Sequence, residues 1–455
     1  MASVADIPTE KSAVSRSPDE LTLGEALELA VRHHRADQLD VAESIYRRVL
    51  EVVPEQPDAL HFLGVLLHQR GEHGEALELL KRAIELQPER AGFHQNMGNV
   101  LFEMERLNEA ARSYERCIGL APGDPAGYNN LGVVRRAQGQ PEAAAEAYRK
   151  AIEIDPRHPD AYHNMGNLLT AQGRIKEAVT YLCTSMTLRP AHPESRRLLA
   201  LAYANLGRLG EAVDVYRKWL EEEPGDPIAR HMLAACGGDE VPERASDQFL
   251  RLVFDSFALS FDAKLEKLHY RAPQLIGAEL ARIQGARQKS LVVLDAGCGT
   301  GLSAPLLAPF ARRLFGVDLS AQMLAKARQR SGYDALVQSE LTQYMRTNPA
   351  VFDLIVSSDT LCYFGALDAV LEAARCALRP QGVLLFTVEQ AEDALAPDVG
   401  YRLNPHGRYS HSAPYVRAAL AAAEFEVLGI TQAVLRMESG CPVAGLVVSG
   451  KATEH

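Results

Sequence analysis

Leu291-Val292-Val293-Leu294-Asp295-Ala296-Gly297-Cys298-Gly299-Thr300-Gly301 sets four apolar residues shortly before three glycines in alternate positions. The apolar run reads as a short buried strand. Glycines at this spacing let the chain turn tightly and let a ligand approach the backbone. A helix is expected from about Ser303. Many dinucleotide and flavin enzymes carry a glycine-rich turn after a strand, so the turn alone leaves the cofactor open.

The flanking residues narrow the reading. Leu314 to Val317, Ala335 to Gln338, Phe352 to Ser357 and Val383 to Val388 predict four more strands, and stretches at about 425–432 and 443–449 predict two beyond them. Asp318 closes the second strand, where an acid suits a bidentate hydrogen bond to both hydroxyls of a ribose. Leu319 follows it, and Ser320, Met323 and Leu324 begin a helix that can cover one adenine face. Glu340, in Ser339-Glu340-Leu341, either accepts from an adenine amino group or stays a solvated acid. Ser357 ends the fourth strand, and Ser358, Asp359 and Thr360 follow it. Asp359 faces a substrate or caps a helix. A helix over 367–378 leads to Leu378-Arg379-Pro380-Gln381-Gly382, read as a sharp turn before the fifth strand. Upstream, residues 246–283 have helical spacing in Phe249, Leu252, Val253 and Phe257. Gly237 to Pro242 reads as a linker.

The first half repeats. Pro54, Pro88, Pro122, Pro156, Pro190 and Pro224 recur every 34 residues. Ala42, Ala76, Ala110, Ala144, Ala178 and Ala212 each lie twelve positions earlier. A further twelve back come Ala30, Gly64, Gly98, Gly132, Gly166 and Ala200. A fixed period of this size predicts a solenoid. The small residues mark close approach of paired antiparallel helices, and each proline ends a second helix. Gly71, Gly139, Gly173 and Gly207 fall in the turns between helices. Asn96, Asn130 and Asn164 share one register in three middle units, with Asn99 and Asn167 one turn further on. An amide supplies both donor and acceptor, so such a row matches a peptide backbone or bridges neighbouring helices.

The repeated half resembles the tetratricopeptide repeat family over six units: 23–56, 57–90, 91–124, 125–158, 159–192 and 193–226. Its asparagine row is similar to the ladder of O-linked N-acetylglucosamine transferase, and that resemblance implies a peptide groove at Asn96, Asn130 and Asn164. The second half resembles class I S-adenosylmethionine-dependent methyltransferases over about 250–450. Asp295, Gly297, Gly299 and Gly301 match that family's first motif, Asp318 its ribose acid and Glu340 its adenine-side acid. The Leu378 to Gly382 turn is also characteristic. The nearest type is the methyltransferases carrying tetratricopeptide repeats, in which Phe254-Asp255-Ser256-Phe257-Ala258 with Phe261-Asp262 looks like a lid segment. The resemblance implies an all-α tetratricopeptide-repeat solenoid followed by an α/β, Rossmann-like, seven-stranded methyltransferase domain. It implies S-adenosylmethionine as cofactor, held by Asp295, Gly297, Cys298, Gly299, Gly301, Asp318, Leu319, Met323, Glu340, Leu341 and Ser357. The expected boundaries are a disordered tail at 1–22, repeats plus a capping helix at 23–236, a linker at 237–245, and the catalytic domain with its helical lid at 246–455.

Composition excludes some partners. The formal net charge of −11 argues against a nucleic-acid binder with a dominant basic face. The fourth-strand Ser357-Ser358-Asp359-Thr360 lacks the Asn/Asp-Pro-Pro-aromatic pattern of enzymes that methylate nucleobases or glutamine. Seven scattered cysteines with no C-x-x-C pair fit a reducing compartment and suggest no metal site. No apolar run approaches the ~18 residues of a membrane span, and Met1 to Glu20 lacks the apolar region of a signal peptide. A cytoplasmic protein is expected.

The substrate side is sought in Tyr401-Arg402-Leu403-Asn404-Pro405-His406-Gly407-Arg408-Tyr409-Ser410-His411-Ser412, a loop placed at the carboxyl edge of the sheet. Arg408 suits a carboxylate or phosphate clamp, and His411 or His406 a base near neutral pH. Tyr409 completes the catalytic candidates His411, Arg408 and Tyr409, while Tyr270 and Tyr363 are weaker pocket candidates. The expectation is O- or N-methylation of a small molecule or protein, with the repeats recruiting a protein or peptide. The alternatives are a repeat scaffold whose methyltransferase fold is catalytically weak and a nicotinamide-dependent oxidoreductase.

Overall fold

The computed structural model describes residues 21–190, 193–285, 289–330, 332–391, 400–438 and 440–454. Residues 1–20 of the expected tail lie outside this set. The chain divides into two compact units between Leu198 and Leu199. No helix among the described residues is long and apolar enough to cross a membrane.

The first unit holds helix pairs. Leu23–Arg35 precedes Leu39–Val52, Pro57–Gln69 precedes His73–Leu86, Ala91–Glu103 precedes Leu107–Leu120, Pro125–Ala137 precedes Pro141–Ile154, and Pro159–Ala171 precedes Ile175–Leu188. The first helix opens with a capping box, in which Glu25 N donates to Thr22 Oγ1 and Thr22 N to Glu25 Oε2. Pro57, Pro125 and Pro159 stand at the start of their helices, where the missing N–H costs nothing. The periodic glycines are required by their partners sixteen residues on. A Cβ at Gly132 would stand 2.5 Å from the Tyr148 ring, and one at Gly98 2.8 Å from the Tyr114 ring. Tyr46 and Tyr148 are fully buried in this register. Turns at Gly71, Gly139 and Gly173 have positive φ, and Asp37 and Glu105 adopt the same conformation in the units that lack the glycine.

In the second unit, Leu209–Glu222 and Pro227–Ala235 precede Asp247–Phe257, Phe261–Lys267 and Ala272–Gln284. Among the described residues nine strands follow: β1 (Leu291–Ala296), β2 (Ala311–Asp318), β3 (Ala335–Gln338), β4 (Phe352–Ser357), β5 (Leu378–Gln390), β6 (Tyr401–Leu403), β7 (Tyr409–His411), β8 (Phe425–Glu438) and β9 (Cys441–Ala452). β3-β2-β1-β4-β5 run parallel, β9 pairs antiparallel with β5, and β8 with β9. Apolar side chains bury both faces. Val292 and Leu294 belong to one cluster and Val293 to the other, as period-two alternation requires.

Two features depart from the sequence reading. Seven strands were expected, and the additional β6 and β7 come from the segment read as a loop. Beyond its last β4 pairing at Phe386, β5 exposes an edge, and Ser410 and His411 of β7 pair there with Glu389 and Gln390. Strands of three residues are too short to show alternation. The Leu378 to Gly382 turn is instead an irregular start to β5, with Gln381 at φ 64° and Arg379 Nη1 bonded to Asp353 Oδ1 at 2.9 Å.

Candidate functional site

β1 turns back toward β2 on one side, and β4 starts the other half of the sheet. The crevice between β1 and β4 at their carboxyl ends is the place where ligands of such sheets bind. A cavity of about 290 Å³ opens there.

The glycine loop forms one wall. Gly297, Gly299 and Gly301 have φ of 76°, 53° and 84°, a region that side chains with a Cβ disfavour. A Cβ at Gly297 would collide with Thr360, whereas one at Gly299 would meet nothing within 4 Å. Gly299 therefore faces open cavity. Asp318 ties the loop to β2. Its Oδ2 accepts from Gly299 N and its Oδ1 from Ser320 N, both at 2.9 Å. Burial raises the Asp318 carboxyl, and these backbone donors oppose the rise. Asp295 lies fully buried behind the loop, its Oδ2 accepting from the Tyr333 hydroxyl at 2.6 Å. Its Oδ1 has no partner among the described residues. Burial pushes Asp295 up to about 7, Tyr333 pulls it down and Asp318 adds repulsion.

Among the expected cofactor residues, Gly297, Cys298, Gly299, Asp318, Leu319, Met323, Glu340 and Leu341 line the cavity. Asp295, Gly301 and Ser357 stand outside that lining. Ser357 donates to Ala296 O at 2.9 Å and stitches β4 to β1. Glu340 caps Leu341–Arg346, accepting from Thr342 N at 3.0 Å and Gln343 N at 2.7 Å. Cap and cavity wall are thus the same carboxylate.

The helices before β1 supply an apolar wall through Phe254, Phe257, Phe261, Leu265 and Leu268. Two aspartates pin this segment. Asp255 accepts from the Ser320 hydroxyl, while Asp262 accepts from Thr300 Oγ1 at 2.6 Å and from Arg330. The spacing Phe254-Asp255 and Phe261-Asp262 thereby alternates wall and anchor.

The far end is charged. Arg436, 2% exposed, donates to Asp359, Glu389 and Glu438. Arg408 donates to Glu389 at 2.5 Å and Glu438 at 2.6 Å. Burial by itself would raise the Glu389 carboxyl, but Arg408 and Arg436 bring it below its usual range. Burial and Arg408 lower the His406 imidazole. Arg408, Arg436, Glu438, Asp359, Tyr270 and Tyr363 line the cavity. Sequence reasoning singled out Arg408 but missed Arg436, Glu389 and Glu438. All three lie past the strand ends read from the sequence, Val388 and about 432, because β5 runs on to Gln390 and β8 to Glu438.

The other catalytic candidates lie elsewhere. Tyr409 is buried and donates to Pro242 O at 2.6 Å. His411 is buried, donates to Gly365 O at 3.0 Å, and burial lowers it to about 4. Neither lines the cavity, because β7 turns both into the core and leaves Arg408 at its entry. His231 donates to Gly407 O at 2.9 Å, so the helix Pro227–Ala235 braces this hairpin.

In the repeats, Asn96 Nδ2 donates to His61 Nε2 at 2.8 Å and Asn164 Nδ2 to Asn129 Oδ1 at 2.9 Å. Asn130 Oδ1 accepts from Asn129 at 3.3 Å. Two of the three row amides thus join consecutive repeats. Burial lowers His61 to about 4, which keeps its ring an acceptor.

Helix pairs of this period, and a parallel sheet with an antiparallel β8–β9 pair and an acid-closed glycine loop, define tetratricopeptide repeats joined to a Rossmann-like methyltransferase fold. Family models agree. A methyltransferase domain matches 294–386, and tetratricopeptide repeats match 27–91, 67–131, 134–173 and 163–227. The chain combines tetratricopeptide repeats with a class I methyltransferase domain. Malonyl-[acyl-carrier protein] O-methyltransferase of Enterobacter lignolyticus (strain SCF1) is 41% identical over 101 residues, covering 22% of this chain and 39% of that protein. Trans-aconitate 2-methyltransferase of Paracidovorax citrulli (strain AAC00-1) is 36% identical, covering 20% and 36%. The chain spans only 39% to 46% of the length of the first curated relatives it matches. Among solved structures, MamA is 27% identical, covering 35% of this chain and 94% of that one, with a TM-score of 0.33.

Proposed function

We propose that the chain transfers a methyl group from S-adenosylmethionine to an acceptor held in the cavity. The observation that carries this reading is the glycine loop: Gly299 opens onto the cavity beside Asp318, a carboxylate that lines the cavity and is held in place by backbone N–H groups. The Gly297 to Gly299 backbone would hold the amino-acid portion and Asp318 the ribose hydroxyls. Leu319, Met323 and Leu341 would cover the adenine, with Glu340 at its edge. When bound, the cofactor supplies a sulfonium methyl group and its own leaving group. The protein's tasks are to align an acceptor with that methyl and to exclude water, and the phenylalanine wall suits the second.

The repeats are assigned the recruitment of a protein or peptide partner, including through Asn96, Asn130 and Asn164. Alanine at all three positions should weaken partner capture in a pull-down, and undiminished capture by a folded variant rejects that groove. Calorimetry with S-adenosylmethionine, S-adenosylhomocysteine and nicotinamide dinucleotide tests the cofactor. Binding of the first two and not the third is expected. Failure of both to bind rejects the methyl-transfer reading and leaves the scaffold alternative.

A further inference from the structure

The far end of the cavity says what kind of acceptor fits. Three carboxylates, Asp359, Glu389 and Glu438, surround two guanidinium groups, Arg408 and Arg436. His406 beside them is held toward its neutral form by burial and Arg408. With the three carboxylates and two guanidinium groups ionised, these five side chains carry one negative charge in excess. Each of the three side-chain nitrogens of Arg436 is bonded to one of these carboxylates. Arg408 Nε and Nη2 are taken by Glu389 and Glu438. Arg436 is spent in this way and Arg408 keeps only Nη1 outside these pairs, so the cluster offers little to an anionic ligand. Asp359 is different. It lines the cavity, Arg436 holds its Oδ2 at 2.9 Å, and its buried Oδ1 has no partner among the described residues. A buried acceptor without a donor is costly, so a donor belongs there.

Resting on the methyl-transfer reading, we propose that Asp359 Oδ1 receives the N–H or O–H of the acceptor's reacting group, so that the substrate class is an amine or hydroxyl compound and not a carboxylate. The acceptor's lone pair forms the new C–N or C–O bond. The C–S bond breaks with its electron pair left on sulfur. The proton released by the acceptor passes to Asp359 Oδ1 and then to solvent. Burial raises the Asp359 carboxyl while Arg436 opposes it, and a raised carboxyl is the better proton acceptor. The apolar wall of Phe254, Phe257 and Phe261 fits an apolar or aromatic body carrying that polar group.

The test is calorimetry of the full chain saturated with S-adenosylhomocysteine, using benzylamine, phenol and benzoate as probes. Benzylammonium and phenol should bind about tenfold or more tightly than benzoate, the scale of one charged hydrogen bond. Asp359→Asn should abolish the advantage of benzylammonium. Asparagine keeps the shape and tolerates the φ of 55° found at this position, so the variant is expected to fold, and a thermal melt checks it. Benzoate binding as tightly as the other probes overturns the proposal. So does a preference unchanged in Asp359→Asn, or no binding of any probe. If S-adenosylhomocysteine does not bind, the same titration on the chain alone still reads Asp359, and only the methyl-transfer reading falls.

Discussion

The end of the cavity proposed for the cofactor and the end proposed for the acceptor share one crevice but are held by different forces. At the cofactor end the wall is backbone. Gly297, Gly299 and Asp318 sit at successive strand ends, and the Asp318 carboxylate ties the loop to β2 by accepting from two backbone N–H groups. At the acceptor end the wall is side chain against side chain. Asp359 follows β4, Glu389 ends β5, Arg408 precedes β7, and Arg436 and Glu438 close β8. A loop shaped by backbone conformation keeps its form when one side chain changes. A network of buried charges loses its balance when one member is removed.

Arg436→Met breaks this comparison most sharply. It leaves Asp359, Glu389 and Glu438 without their shared counter-charge and should cost about 3–5 kcal/mol of stability in urea unfolding, with cofactor affinity changed far less. A loss under about 1 kcal/mol would show that the cluster is solvated and does not hold the fold. Asp295 gives a pH-dependent effect at the other end. Its folded value near 7 lies above the ordinary 3.8, so its stabilisation is complete at acid pH and is lost as pH rises from about 4 through 7. At about 1.4 kcal/mol per unit, Asp295→Asn should recover a few kcal/mol at pH 7.5 relative to pH 4.5. His411 acts oppositely. Its folded value of about 4 means stability is lost as pH falls from about 6.5 toward 4. Asp318→Ala should weaken S-adenosylhomocysteine by about 1–3 kcal/mol in calorimetry, and an unchanged affinity removes Asp318 from the ribose. His231→Phe is the mildest, at about 1 kcal/mol, since it keeps a ring against Phe249 and Tyr409 and removes one hydrogen bond to the hairpin that carries Arg408. An unmoved urea midpoint would show that the hairpin stands without the helix Pro227–Ala235.

The repeats were legible because each helix pair meets the same steric demand. Gly132 must be small since Tyr148 packs on it, and the pair recurs as Gly98 with Tyr114. Every period repeats that information. The glycine loop was legible for a related reason: positive φ at three alternate positions writes itself as glycine. The positive φ at Asp37, Glu105 and Asp359 was not legible, because residues other than glycine are uncommon in that region and an aspartate or glutamate does not mark it in sequence. His411 and Tyr409 read as catalytic from composition, yet β7 buries both. Its pairing with the free edge of β5 depends on how far β5 outruns β4, which no local pattern records.

Local steric rules thus let the sequence by itself determine the solenoid, the order of the five parallel strands' motifs and the cavity wall at Gly297 to Asp318. Only the tertiary structure decided that Arg436 and Glu438 meet Asp359 and Glu389. The antiparallel return of β8 and β9 beside β5 brings residues 359 and 436 together. Charges paired across that distance in the chain leave no periodicity, because their complementarity exists only after the strands have taken their places.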